Sequence, residues 1–337
     1  MEVIPVHNRP APRSCYAVAG RLLFFESIDL RLGNLIERLF AGWQLTPVSS
    51  PGQSPNIRIK FSCADASPQI PRNLNHFEIA EGGRCYTDGG DFYVALCNSV
   101  IHLQNGHPGV VNVWFEELPG PGDPMFARAT SFAVCAALRR YGLFELHSAG
   151  VVNPDNQQGV LIIGPSGSGK STLTLQLAMA GWEYLSDDEL LLSLDDGEVE
   201  ARGFRSFFAV SGATALAAGF GGSEPVEGPN GAFKTCFEPE AVFTSQRRLK
   251  ASPGVLLFIS LTGEQKSRFN KLAQAETMAR LIRACPWATY DTAIAGANLE
   301  VLSRLARQTS AFDLNAGRDL LEPKHASNLL SQCARYK

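Results

Sequence analysis

The sequence contains no apolar run approaching the roughly 18 residues that suggest a membrane span, so no membrane-crossing segment is expected. It also lacks an excess of either charge. Thirty Lys and Arg against 33 Asp and Glu leave a formal net charge of −3, which argues against the basic stripe of a nucleic-acid-coating surface. Its eight cysteines form no C-x-x-C and have no histidine pair nearby. That excludes the usual zinc spacing and a disulfide framework, and it suits buried thiols in a reducing compartment. No repeat of 20–50 residues is visible, which sets aside solenoids and propellers. The opening "MEVIPVHNRPAPRS" has no signal-peptide apolar core, so a cytoplasmic protein with no membrane or nucleic-acid partner is expected.

What is present is ordinary globular material. At 337 residues, 45% hydrophobic and 19% charged, the chain can bury a real core and has room for about two domains. "RLLFFES" reads as a strand and "LRLGNLIERLFAGW" as an amphipathic helix. "NIRIKFS", "HFEIAEG", "GRCYTDG", "DFYVALCN", "SVIHLQNG" and "VVNVWFEE" alternate and are separated by turn residues, the pattern of a largely antiparallel sheet. "LPGPGDP" (118–124) is the best linker candidate. The expectation is a smaller α+β domain over 1–120, with acceptor docking as a candidate role, and an α/β domain over 125–337. In the second part "GVLIIG" and "EYLSD" read as strands, "KSTLTLQLAMAG" as a helix, and "GVLLFISLT" as another buried strand. "GFGGSEPVEGPNG" (219–231) reads as a mobile loop, and helices are expected near 273–285, 297–308 and 324–335.

The segment "GPSGSGKS" matches G-x-x-x-x-G-K-[ST] through Gly164, Gly169, Lys170 and Ser171. Glycines let the backbone wrap around phosphate so that successive N–H groups face its oxygens. The following helix offers its positive N-terminal end to the same anion. The pattern assigns Gly164, Pro165, Ser166, Gly167, Ser168, Gly169, Lys170, Ser171 and Thr172 to nucleotide contact. Lys170 would reach the β- and γ-phosphates, and Ser171 would ligate Mg²⁺. A preceding apolar strand and a following helix supply the context this motif requires, so ATP and Mg²⁺ are the expected cofactors.

Asp187 lies seventeen positions beyond Lys170, one helix, one turn and one strand further along. A parallel pairing of the two strands would bring Asp187 and Asp188 beside the phosphate loop, where ligands collect in open α/β sheets. Adjacent strand residues face opposite ways, so one carboxylate can hold Mg²⁺ while the other accepts a proton from an attacking hydroxyl. The competing reading is a solvated or capping turn. Glu189 is peripheral on either reading.

With "LHSAGVV", "GPSGSGKS" and "LSDDELLL" in this order, residues 125–337 resemble the catalytic domain of the kinases related to HPr kinase/phosphorylase. The resemblance implies a P-loop α/β fold similar to the nucleotide domain of phosphoenolpyruvate carboxykinase, an alcohol-group phosphotransferase activity, and a homo-oligomer. It makes Asp187 the general base, gives Asp188 metal and geometry together with Ser171, and puts His147 near the transferred phosphate, with a hydrogen-bonded core histidine as the alternative. Where that family carries Glu-Leu-Arg-Gly, this chain has "EARGFRSFF", with Glu200, Arg202 and Arg205. Arg205 is a candidate for charge at the phosphoryl group or a surface arginine, and Lys234 is a candidate for nucleotide or substrate contact. The expected function is ATP- and Mg²⁺-dependent phosphorylation of a hydroxyl, that of a serine in a peptide or protein. The alternatives are a small-metabolite kinase and a nucleotide-binding regulatory ATPase. The hairpin signal "LLLSLDDGEVEARGF" favours the serine kinase over a small-metabolite kinase, which would continue into a helix and an Arg-bearing lid.

Overall fold

Strands that bury alternate residues recur along the first part of the chain. In the computed structural model, which describes residues 13–333 apart from 28, 50–53, 55, 64–67, 80–82, 88–89, 97, 105–108, 220–225, 228–232 and 242–246, the chain divides into two units. One comprises 1–41 with 45–141, the other 42–44 with 142–337.

The first unit contains β1 (Arg13–Val18), β2 (Arg21–Ser27), α1 (Leu30–Ala41), β3 (Thr46–Pro47), β4 (Ile57–Cys63), β5 (Asn75–Ile79), β6 (Gly83–Thr87), β7 (Phe92–Leu96), β8 (Ser99–Leu103), β9 (Val110–Phe115) and α2 (Pro124–Arg139). Its nine strands run β3-β1-β2-β4-β9-β8-β7-β6-β5. The β2–β4 and β4–β9 pairs are parallel and the others antiparallel. In β4, Ile57, Ile59 and Phe61 are buried while Arg58 and Lys60 are exposed, the period of two expected for one covered face. Helix α1 contributes Leu32, Ile36 and Phe40, spaced by four residues along one stripe.

Helix α2 packs on β4, β8 and β9, with Phe126 against Phe115 at 5.4 Å between ring centroids. The division between the units therefore falls after this helix, at Tyr141 and Gly142, and not at 118–124. There the Pro- and Gly-rich segment leads into a helix start. Asp123 accepts hydrogen bonds from Met125 N at 2.8 Å and Phe126 N at 3.4 Å, with Pro124 in the first turn. Past the helix the chain turns at Gly142, whose φ of +77° suits glycine.

The second unit contains β10 (Phe144–Leu146), β11 (Ser148–Val152), β12 (Gly159–Ile163), α3 (Lys170–Met179), β13 (Glu183–Ser186), β14 (Leu190–Asp195), β15 (Glu198–Gly203), β16 (Phe208–Ser211), α4 (Gly212–Ala217), β17 (Val226–Glu227), β18 (Phe233–Phe237), β19 (Lys250–Ala251), β20 (Pro253–Leu261), β21 (Arg268–Lys271), α5 (Gln274–Ala284), α6 (Trp287–Tyr290), α7 (Ala295–Gln308), β22 (Ser310–Ala316) and α8 (Pro323–Cys333). Apart from β17, the loop expected at 219–231 lies almost wholly outside the described residues.

The main sheet of this unit runs β13-β11-β12-β20-β22-β21. Strands β12, β20 and β22 are parallel. β11 is antiparallel to both β12 and β13. The pairing expected between the strands flanking the first helix is thus corrected: β12 and β13 point the same way but are separated by β11. Every residue of β11 and β12 is buried, because both faces of the sheet are covered. Val160 and Ile162 join a core with Leu173 and Leu177 of α3 and Leu330 of α8. Leu161 and Ile163 join another with Leu281 of α5 and Leu302 of α7, closed by Leu190, Leu192 and Val199 of the β14–β15 hairpin. That hairpin turns on Asp196 and Gly197, at φ +48° and +82°, the twist-matched two-residue turn. Together the two units form a mixed α/β structure with several sheets. No helix among the described residues is long and apolar enough to cross a membrane.

Candidate functional site

The strand order determines which side chains meet. β12 and β13 end at the same edge of the sheet, and β11 begins between them with Ser148 opposite Ile163. The residue just before β11 is His147. Three chain segments that are distant in sequence thus converge at one edge: His147, the loop after β12, and Asp187–Asp188 after β13.

The loop from Gly164 to Gly169 needs its glycines for different reasons. A Cβ on Gly164 would lie 2.5 Å from Ser168 Oγ and 2.8 Å from Ile259 O, so no larger residue fits. Gly169 precedes α3 at φ +94°, a conformation costly for any L side chain. The first bond of the α3 ladder runs from Leu173 N to Gly169 O at 2.9 Å. The amides of Lys170, Ser171 and Thr172 precede that ladder, at the positive end of the helix dipole.

Lys170 is 6% exposed. Its Nζ donates to Gly164 O at 2.7 Å and Pro165 O at 3.0 Å, and lies 3.0 Å from His147 Nε2. Burial lowers the lysine pKa, opposed by the neighbouring Asp188 carboxylate. An ammonium can only donate, so His147 Nε2 accepts and the ring proton sits on Nδ1. Nδ1 in turn lies 3.4 Å from Asp188 Oδ1. Desolvation lowers the His147 pKa, again against Asp188, although half of the side chain is exposed.

The adjacent aspartates occupy unlike environments. Asp188 lines a cavity of about 590 Å³ with His147, Lys170, Ser171, Thr172 and Lys234. Asp187 is 1% exposed and absent from the cavity wall. Its Oδ2 accepts from Ala209 N at 2.8 Å, tying the end of β13 to β16, and its Oδ1 has no hydrogen-bond partner among the described residues. Burial raises its pKa to about 7, with the Asp188 charge adding to the rise.

The remaining candidates separate cleanly. Lys234, on β18, is on the cavity wall. Arg205 is held elsewhere: its Nε and a terminal nitrogen each lie 3.1 Å from Glu189 Oε2, and its guanidinium sits over the Trp43 ring at 4.9 Å. Glu200 pairs with Arg202 at 2.9 Å and Lys250 at 2.6 Å, and neither Glu200 nor Arg202 reaches the cavity. The sequence reading missed Ser211 and Thr214, whose hydroxyls are 2.9 Å apart, and Arg318, all on the cavity wall. Arg318 carried a usable signal, since "NAGR" ends a strand at the edge where ligands gather. Ser211 and Thr214 carried none, because only the packing of β16 and α4 beside α3, with Thr214 Oγ1 3.3 Å from Thr172 Oγ1, brings them in.

No protein-family model and no curated protein sequence matches the chain. Among solved structures, it is similar to the HPr(Ser) kinase/phosphatase from Coxiella burnetii, at 12% identity and a TM-score of 0.29, over 56% of this chain and 94% of that one. That likeness is too slight to assign chemistry.

Proposed function

We propose that this chain is an ATP- and Mg²⁺-dependent kinase that transfers the γ-phosphoryl group to a hydroxyl, that of a serine in a peptide or protein. The observation that carries the reading is the placement of Lys170. Its buried ammonium rests on two carbonyls of a glycine-rich loop, with Ser171 and Asp188 on the same cavity. The residues present fit the nucleotide. The loop has no room for a side chain at Gly164, and Ser168 Oγ is buried without a hydrogen-bond partner among the described residues. Ser171 and Asp188 are oxygen donors that would hold Mg²⁺, a hard cation that ordinarily takes one or two protein ligands plus phosphate oxygens and water. When bound, ATP supplies the phosphoryl group and Mg²⁺ neutralises charge on its oxygens.

The chain's own residues then divide the work. Lys170 exchanges its carbonyl partners for phosphate oxygens, and the amides opening α3 add donors to the same anion. His147 and Asp188 hold each other at the loop's mouth. Asp187 is the proton acceptor: its Oδ1 is unpartnered and its carboxyl is poised near neutrality, where a general base works best. That role requires the acceptor hydroxyl to reach Oδ1 past Asp188. A second reading rests on access, since His147 already lies on the cavity wall and its Nε2 is released once Lys170 turns to phosphate. The hairpin β14–β15, directly after the aspartates, supports a serine kinase over a small-metabolite kinase, in which a helix and an Arg-bearing lid would follow.

The test is incubation of the full chain with γ-labelled ATP, Mg²⁺ and host lysate, followed by identification of the labelled residue. The expected result is phosphoserine in one or a few proteins, lost with Lys170→Ala. Equal labelling by the Lys170→Ala variant, or label on a small metabolite alone, contradicts the proposal.

A further inference from the structure

One part of the cavity wall, beside the loop, carries no catalytic candidate. Leu261 and Leu321 are 62% and 59% exposed there, and both line the cavity with Leu320 and Arg318. Together they leave apolar area available to a ligand. A Cβ on Gly169 would lie 3.0 Å from Leu261 Cδ2, so this part adjoins the loop directly. The Arg318 side chain has no hydrogen-bond or ion-pair partner among the described residues.

The backbone beneath is locked. The segments after β20 and β22 are cross-tied by Thr262 N to Ala316 O at 3.2 Å, Arg318 N to Glu264 O at 2.9 Å and Asp319 N to Gln265 O at 3.1 Å. Asp319 also accepts from Ser267 N at 3.0 Å and Ser267 Oγ at 2.5 Å, while Gly317 N donates to Ser267 Oγ at 2.8 Å. These amides are engaged within the pair of segments and are not free to read a ligand's edge. What the side chains of the platform offer is apolar area and one unpaired guanidinium.

Resting on the nucleotide reading above, we propose that Leu261, Leu320, Leu321 and Arg318 seat the heteroaromatic base of the nucleotide by apolar contact and guanidinium stacking. Base identity is then read weakly, because discrimination between bases needs hydrogen-bonding groups aimed at the ring edge. Arg318 is a binding residue for the base and contributes nothing to the phosphates.

The test is calorimetric titration of the full chain with ATP, GTP and inorganic tripolyphosphate, each with Mg²⁺. The wild type should bind ATP and GTP within about tenfold of each other. Arg318→Ala should weaken both about three- to tenfold, the range of a partly exposed cation–π contact, and leave tripolyphosphate unchanged. Leu321→Asp should weaken both nucleotides in the same selective way. Loss of tripolyphosphate affinity in Arg318→Ala would make the arginine a phosphate ligand and overturn the proposal, as would a hundredfold preference for ATP over GTP. Nucleotide affinities unaltered by either substitution would also overturn it. Failure of all three ligands to bind the wild type would instead remove the nucleotide reading on which it rests.

Discussion

Neighbouring residues on β8 and on β12 experience different surroundings. In β8 of the first unit, Ile101 is buried in the core, while His102 stacks on Tyr93 at 4.2 Å between ring centroids. In β12 of the second unit, Leu161 and Ile162 are both buried, one in each of two cores. A sheet covered on one face alternates, and a sheet covered on both faces cannot place polar groups along its strands at low cost. Its polar side chains are pushed to the strand ends. That is where His147, Lys170, Asp187 and Asp188 meet, and why the candidate chemistry belongs to the second unit.

The comparison would break most visibly at those strand ends. Asp187→Asn should lower phosphoryl transfer by about 10²–10⁴ while MgATP binding holds, the scale of general-base loss. His147→Gln should cost about tenfold or less. If the two effects are reversed, the proton goes to His147 and Asp187 is a positioning residue that anchors β16.

Along the strands the effect is on stability. Leu161→Ala and Ile162→Ala should each cost about 2–5 kcal/mol, because each leaves a cavity in a separate core. In β8, Ile101→Ala should fall in the same range, and His102→Ala should cost about 1.5 kcal/mol or less, the scale of a lost ring stack. Chemical denaturation of the full chain measures all four. A near-neutral Ile162→Ala would mean that one face of the second sheet is not tightly packed.

A smaller effect sharpens the contrast between the two aspartates. Since the folded chain raises the Asp187 pKa to about 7, it retains a proton there that the unfolded chain has released. The stability linked to this group is fully present below the ordinary carboxylate range and is lost as pH rises through about 7. Asp187→Asn should flatten that dependence and raise the thermal midpoint relative to wild type above pH 7. Parallel profiles for the two proteins would show that the carboxyl is not held near neutrality.

Much of this arrangement was legible in the sequence, for identifiable reasons. Short strands bounded by Gly, Asn and Asp turns marked β4 through β9, and the apolar run "GVLII" followed by glycines located both β12 and the loop. The seventeen-residue spacing to Asp187 was also readable, since it needs only one helix and one strand. Pairing across the sheet was not. Nothing local places β11 between β12 and β13, so the route by which His147 reaches Lys170 became visible only in three dimensions. The allegiance of α2 was hidden too, because the same Pro, Gly and Asp residues that suggest a linker also cap a helix. The partners of Arg205 were hidden as well, since Glu189 and Trp43 lie 16 and 162 residues away in the chain.

The central claim is that residues 164–171 cradle the phosphates of a nucleotide with Lys170 as their charge partner. Calorimetric titration of MgATP into wild type and Lys170→Ala tests it most directly, with thermal midpoints as the control for folding. The account predicts saturable one-site binding to the wild type, weakened about a hundredfold or more in the variant, as expected for loss of a charge partner from a desolvated site. Equal affinities in two equally folded proteins, or no binding to the wild type, would contradict it.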